Sequence, residues 1–354
     1  MPSGPTRNRP SSLHEFELIR LLARRFGRTR SSVIRGIGED AALVKTSSRD
    51  ALLVTTDLLT EGVHFDLSIA NFEDIGYRAA IANLSDIAAM GGTPRFLLAA
   101  LAVPARHRTS QIVALYRGMM QACRPYDVCL IGGDTSASRQ GLFLSITLLG
   151  TMPAKQALTR NGARIGDLIY VTGTLGDSRA GLELLMAAKN RGRRSGPYRP
   201  VPTRYDHSLI RRHHRPTARI AEGRFLAMKR LASAAIDVSD GLSGDLRHLC
   251  EQSGVGAEIY LSMLPISPAC HTYAQRRRLD PARLALSGGE DYELLFTVPP
   301  RKRAQLDRLS RAHGFRITCI GEIMPTRFGI TARGLDGTPR PLRVTSYEHF
   351  RGSN

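Results

Sequence analysis

Tryptophan is absent from this chain of 354 residues, and cysteine occurs five times. The cysteines (Cys123, Cys129, Cys250, Cys270, Cys319) are odd in number, scattered and never in CxxC spacing. That pattern argues against a disulfide scaffold and against zinc, and predicts buried free thiols in a reducing cytosol. No apolar run approaches the roughly 18 residues of a membrane helix. The start, MPSGPTRNRPSS, is polar and basic with no apolar segment behind it, so no secretory signal is expected. Residues 1–12 read as a disordered tail, and the protein as cytoplasmic, with no membrane partner. Nucleotide-loop signatures are missing too. GIGEDA is not GxGxxG, and GxxxxGK[ST] occurs nowhere, which excludes a simple Rossmann or Walker-loop reading.

Acidic residues are in deficit, 31 against 50 basic ones, for a formal net charge of +19. Such an excess suits nucleic acid, anionic membrane or small anionic substrates. Most of the arginines, however, are spread along helix-like segments, as on a solvated face. The densest run, Lys189–Arg215, holds nine Lys/Arg and one acid, Asp206, among Pro and Gly, and reads as a loop insertion, about 189–205. A nucleic-acid partner is not expected, because aspartates at a phosphate surface would repel it.

What the chain does have is aspartate in a recurrent setting. GIGEDAALV (Asp40), LLVTTDLL (Thr55, Thr56, Asp57), NLSDIAAMGG (Asp86), CLIGGDTS (Asp134) and AIDVSDGLSGDL (Asp237, Ser239, Asp240) set it, usually beside Gly, Ser or Thr, at the end of an apolar run or within a helix. Carboxylates repel one another and resist burial, so several in one fold suggest a neutralising cation. Oxygen ligands without His or Cys at metal spacing point to a hard ion such as Mg²⁺, which usually arrives with substrate phosphates. Each Asp alone reads equally as a turn or an N-cap; it is the set that carries the inference.

The periodicities predict helices at Leu13–Phe26, Ile75–Met90 (ended by Gly91 and Gly92), Ser110–Cys123, Asp177–Ala188, Arg215–Leu231 and Arg301–His313. Strands are predicted at Leu52–Thr56, Phe96–Val103, Val128–Ile131, Leu142–Gly150, Asp167–Thr172, Ala234–Val238, Glu293–Val298 and Ile317–Ile320. Ser239 reads as the N-cap of a helix through Cys250. A boundary near 150–155 divides the chain into domains at 13–152 and 153–354.

Taken in order with LTRNGARIGDLIYVTGTLGDSRAGL, ALSGGEDYELLFTV and the SYEHF near the C-terminus, these segments resemble the thiamine-monophosphate kinase family. That family shares a fold superfamily with aminoimidazole ribonucleotide synthetase and selenophosphate synthetase. The resemblance implies a two-domain α/β (α+β) fold, with a mixed-sheet ATP- and Mg²⁺-binding N-terminal domain, a C-terminal α/β domain and a homodimer formed by the N-terminal domains. It implies transfer of the ATP γ-phosphoryl group to thiamine monophosphate. Asp40, Thr55, Thr56, Asp57, Asp86, Asp134 and Asp237 resemble the family's magnesium ligands, and Asp240 a further metal-site residue. Tyr116, Gly133, Asp134, Arg160 and Ser239 resemble its ATP contacts; His64, Glu290 and Tyr347 resemble the residues around the thiamine monophosphate. No residue stands out as a general base. Glu39 departs from the family, which has Asp at the start of a Gly-Asp-Asp pair. The first cysteine, Cys123, lies too far along the chain for the reactive N-terminal residue a selenophosphate synthetase needs.

Overall fold

The computed structural model describes residues 15–26, 30–192, 203–334 and 336–343. The predicted tail and Tyr347 lie outside the described residues. The first half builds one sheet from β1 (Val33–Arg35), β2 (Ala42–Lys45), β3 (Asp50–Thr60), β4 (Thr93–Pro104), β5 (Cys129–Ser138) and β6 (Phe143–Pro153). Their order across the sheet is β1-β2-β3-β6-β4-β5, and only β4 and β5 run parallel. Ahead of it lies α1 (Glu15–Phe26); α2 (Phe72–Ala89) and α3 (Thr109–Cys123) lie between its strands in the chain.

The second half contributes β7 (Leu168–Thr172), β8 (Ala234–Val238), β9 (Gly256–Tyr260), β10 (Glu293–Val298), β11 (Ile317–Met324), β12 (Ile330–Arg333) and β13 (Pro339–Pro341). They form a second sheet, β13-β12-β9-β11-β7-β10-β8, parallel only at β9 and β12. Its helices are α4 (Asp177–Gly192), α5 (Arg204–His214), α6 (Ile220–Met228), α7 (Leu242–Ser253), α8 (Pro268–Arg277), α9 (Pro281–Ser287) and α10 (Arg303–His313).

Alternation explains which face each strand buries. In β3, Ala51, Leu53, Thr55 and Leu59 are buried, whereas Thr56 and Leu58 are exposed on the other face. The buried face meets α2, whose Ile75, Ile81, Leu84 and Ile87 are each at most 1% exposed; each such side chain contributes about 2 kcal/mol relative to exposure. Asn71 caps α2 by accepting from the Asp74 N–H, and Gly91, at φ +75°, follows its last turn in the left-handed region glycine favours. One core is shared between the halves, since Ile220, Phe225 and Leu226 join α2 and the first sheet.

Several expectations are corrected. The helix predicted for Arg215–Leu231 is shorter at both ends: Pro216 follows the end of α5 at His214, and the helix within the predicted range is α6, Ile220–Met228. The basic stretch is not one loop: α4 continues to Gly192, and α5 begins after a capping box formed by Thr203 and Asp206. Lys189 pairs with Asp66 instead of facing only solvent. Asp57 and Asp134 stand inside long strands, not at strand ends. All five cysteines are free, but Cys129 is exposed and Cys319 half-buried.

Candidate functional site

A cavity of about 880 Å³ lies where the two halves meet. The β1–β2 loop supplies Asp40, β3 supplies Thr55, Thr56 and Asp57, α2 supplies Asp86, and β8 with its following turn supplies Asp237, Ser239 and Asp240. His64, Arg160 and Glu290 line the same cavity. Segments spread over 250 residues of sequence thus converge on one space.

Carboxylate oxygens of Asp40, Asp86 and Asp237 all lie within 4.8 Å of one another. Thr55 donates its hydroxyl to Asp86, and Ser85 donates to Asp237 Oδ2 at 2.7 Å. Burial pushes the pKa of Asp237 up to about 7, with Asp40 adding to the shift, and burial pushes Asp57 up to about 6. Asp86 is driven well above the usual carboxylate range by burial and then by Asp57, Asp237 and Asp40. These groups resist ionisation in the unliganded protein, and a divalent cation is what would reverse that. The Oδ2 of Asp40 is buried with no partner. An oxygen-only donor set with an orphaned carboxylate oxygen fits Mg²⁺ better than zinc or a redox metal.

Arg160 borders this cluster. Its Nε and Nη2 donate to Asp40 Oδ1 at 3.1 and 2.5 Å. Burial alone would lower its pKa, but Asp40, Asp237 and Asp86 together raise it. Glu39 turns its carboxylate to the Arg160 backbone, accepting that N–H at 2.9 Å, and lies 3.6 Å from Arg35. The extra methylene relative to Asp is therefore spent on holding the Arg160 turn.

The turn Ser239–Gly241 is built differently from the prediction. Gly241, at φ +113°, is the N-cap of α7, so Ser239 is not. Ser239 instead lies beside Asp237, Oγ to Oδ1 3.4 Å. Asp245, 2% exposed, reaches back from the first turn of α7 and accepts the Gly241 N–H at 3.1 Å. Burial and the charge of Glu15 push Asp240 up to about 6.

Val63, Phe65, Ile69, Leu182 and Met186 add apolar side chains to the lining. His64 Nδ1 accepts the Thr60 N–H at 3.0 Å, so Nε2 carries the ring proton and is its donor. Glu290 stands at φ +63° and Tyr292 at φ +52°, both in the left-handed region that non-glycine residues avoid. The strain is held by Glu290 N donating to Ser239 O at 2.7 Å and Tyr292 N to Val238 O at 2.9 Å. Between them Asp291, 1% exposed, accepts from Gly176 N at 2.6 Å and Ser178 N at 3.1 Å at the start of α4.

Tyr116, Gly133 and Asp134 are not among the residues lining this cavity. Tyr116 is half-buried on α3, packed against the core. Gly133 and Asp134 lie on β5, opposite Ala99 and Ala100 of β4. A Cβ on Gly133 would fall 1.9 Å from the Ala99 carbonyl oxygen, so strand packing by itself requires glycine there. Asp134 is exposed, as is nearly all of β5.

Comparison with known proteins bears on this geometry. Residues 38–152 match the family model of AIR synthase related protein, N-terminal domain, and residues 164–332 the corresponding C-terminal domain. The thiamine-monophosphate kinase of Escherichia coli (strain K12) is 41% identical over 339 residues, 95% of this chain and 98% of the relative. That of Bacillus subtilis (strain 168) is 38% identical, across 96% of this chain and 100% of its own length. The chain belongs to the thiamine-monophosphate kinase family. A solved thiamine-monophosphate kinase structure, AaThiL complexed with AMPPCP and TMP, superposes with a TM-score of 0.81 at 36% identity, over 96% of this chain and 98% of that one. The hydrogenase maturation protein HypE of E. coli, 22% identical with a TM-score of 0.65 over 93% of this chain and 97% of its own, shares the fold alone.

Within this thiamine-monophosphate kinase framework the sequence reading missed a group of buried residues. Arg78, Ser178, His213 and Tyr292 also line the cavity. Arg78 offered one faint signal, a lone cation inside the otherwise apolar segment IGYRAAIANL. His213 offered none, lying in a basic run that reads as solvated surface.

Proposed function

We propose that this protein transfers the γ-phosphoryl group of ATP to thiamine monophosphate, giving thiamine diphosphate and ADP, with Mg²⁺ held by Asp40, Thr55, Thr56, Asp57, Asp86, Asp237 and Asp240. The observation that carries this reading is one interdomain cavity whose lining combines a cluster of repelling carboxylates with apolar side chains and hydrogen-bonding groups. The charged lining suits polyphosphate, and the apolar lining suits the aromatic rings of the acceptor.

Bound Mg²⁺ would neutralise charge on the phosphate oxygens. Arg160 would clamp a phosphate of ATP while its bond to Asp40 keeps the guanidinium oriented. Ser239 lies just before the N-terminus of α7, where backbone amides favour anions. On the acceptor side, His64 Nε2–H donates to the substrate and Glu290 flanks it, and Tyr347 keeps the acceptor role that the family resemblance implies. A phosphate monoester has its second pKa near 6, so the attacking oxygen is mostly ionised at neutral pH and needs no general base. His64 is suited to that role: its acceptor nitrogen is already bonded to Thr60, which leaves it a donor.

We further propose domains at 13–152 and 153–354 and a homodimer in which β5 of one subunit completes the cavity of the other. Leu130 and Ile131 on β5 are 39% and 53% exposed, as are Phe96 and Phe143 on neighbouring strands at 43% and 37%. An uncovered apolar edge of this kind is normally covered by a partner. The arrangement would bring Tyr116, Gly133 and Asp134 to the ATP of the partner subunit, with Asp134 also a ligand of its Mg²⁺, in keeping with their absence from the lining of their own chain's cavity. The test is an assay with purified protein, ATP and Mg²⁺. Thiamine monophosphate should yield thiamine diphosphate and unphosphorylated thiamine should yield nothing; comparable turnover of both would refute the reading.

A further inference from the structure

The acceptor site rests on one side chain that reaches both halves of the protein. Arg78, on α2, is 3% exposed. Its Nη1 lies 2.8 Å from His213 Nε2 and 3.2 Å from Glu290 Oε2, and its Nη2 donates to the carbonyl oxygen of His64. Arginine has donors only, so His213 Nε2 accepts. The imidazole proton then sits on Nδ1 and is donated to Ser178 Oγ, 3.1 Å away; Glu290 Oε2, at 3.6 Å, is too far. Burial and then the Arg78 charge hold His213 well below its ordinary pKa, so the ring stays neutral and the direction of these bonds is fixed. The far end is anchored as well, since the Ser178 N–H donates to Asp291 at the start of α4.

We infer that Arg78 is the positioning residue for the acceptor: its fork ties the His64 loop of the first half to Glu290 of the second and so fixes the width of the acceptor site. The inference rests on the acceptor roles proposed above for His64 and Glu290. Two features favour it over a purely structural role. The Nε of Arg78 is buried without a partner, a penalty that an apolar residue on α2 would avoid. And Glu290, which Arg78 holds, sits in strained backbone facing the cavity, where strain is retained for geometry and not for stability. A lysine could keep the charge but not the three-way fork.

The experiment compares steady-state kinetics of wild-type protein, Arg78→Gln and Arg78→Lys, varying thiamine monophosphate and ATP separately. The expected result is a rise in KM for thiamine monophosphate of roughly tenfold or more in both variants, with KM for ATP within about twofold of wild type. A KM for thiamine monophosphate within about twofold of wild type, equal rises for both substrates, or full rescue by Arg78→Lys would each overturn the inference. If neither Arg78 variant folds, His213→Gln takes their place: it leaves an acceptor for Arg78 and removes the Ser178 anchor. It should raise KM for thiamine monophosphate selectively by roughly threefold or more, and an unselective or absent change overturns the inference. Wild-type protein that makes no thiamine diphosphate refutes the proposed function, and this inference with it; wild-type turnover with unaltered variants refutes the inference alone.

Discussion

Asp57 occupies the middle of β3 and lines the cavity near Asp86, and burial holds its carboxyl against ionisation. Replacing it with Asn should lower turnover by roughly a hundredfold or more while leaving the metal-free protein as stable as wild type or slightly more so. Thermal melts without Mg²⁺, beside turnover numbers at saturating Mg²⁺, check both halves; near wild-type activity at limiting Mg²⁺ would remove Asp57 from the metal site. For His64→Ala the expected change lies in KM for thiamine monophosphate, since the ring donates from Nε2 and abstracts nothing. A loss confined to kcat, measured in the same assay, would contradict that. The aspartates were legible because each stands in a short motif with small or hydroxyl neighbours. Arg78 was not, because its meaning lies in partners such as His213, 135 positions away, and no local pattern encodes that pairing.

Among the elements, α2 and its Gly91 end followed from sequence because apolar spacing and a C-terminal glycine are local physics, but its start did not: the apolar pattern begins at Ile75, whereas Asn71 caps the helix and its first turn opens at Phe72. Nor did the start of α7. Ser239 has the right chemistry for an N-cap, but Asp245 already serves the amides of the turn, and Ser239 is left beside Asp237. The helix predicted across Arg215–Leu231 erred by letting apolar periodicity outweigh Pro216. For β5 the short apolar run Val128–Ile131 hid a strand that continues through Gly132, Gly133 and Asp134. That strand makes a prediction of its own. Ile131→Lys, on the exposed edge, should shift stability by no more than about 1 kcal/mol, yet leave the protein monomeric and nearly inactive. Light scattering after size-exclusion chromatography reads the first outcome and turnover the second. A fully active monomer would contradict completion of the site by a partner subunit.

At the scale of the molecule, helix–strand alternation was visible but strand direction was not, because the same alternation serves parallel and antiparallel sheets alike. Both sheets prove mainly antiparallel, with parallel pairs only at β4/β5 and β9/β12. The boundary near 150–155 was legible in the strand ending in Gly150 and in Pro153, and the ordered motifs tied the two halves to a two-domain fold. The assembled carboxylates also give the whole protein a pH signature. Asp57, Asp237 and Asp240 rise from 3.8 to about 6, 7 and 6 on folding. Groups raised in this way favour the folded state below pH 4 and lose that contribution as pH climbs through 6 to 7. Asp66 and Asp206, lowered to about 2, change only in much stronger acid. Buried histidines lowered in the fold, His213, His214 and His248, work in the opposite sense between pH 5 and 8, so the metal-free melting temperature is a balance of the two sets. The gain from Mg²⁺ is the cleaner readout and should be larger at pH 8, where the carboxylates are ionised. Thermal scans at both pH values, with and without Mg²⁺, decide it; a Mg²⁺ gain that is equal at both would mean the cluster does not bind the ion.

The central claim is that this interdomain cavity transfers a phosphoryl group between two bound substrates at its carboxylate cluster. The most direct measurement follows ADP and thiamine diphosphate together, from ATP, Mg²⁺ and thiamine monophosphate, for wild-type protein and for Asp86→Asn side by side. Equimolar ADP and thiamine diphosphate from the wild type, with both lost in Asp86→Asn, is the predicted result. ADP released without thiamine diphosphate, or an Asp86→Asn protein that still forms both at the wild-type rate, would contradict it.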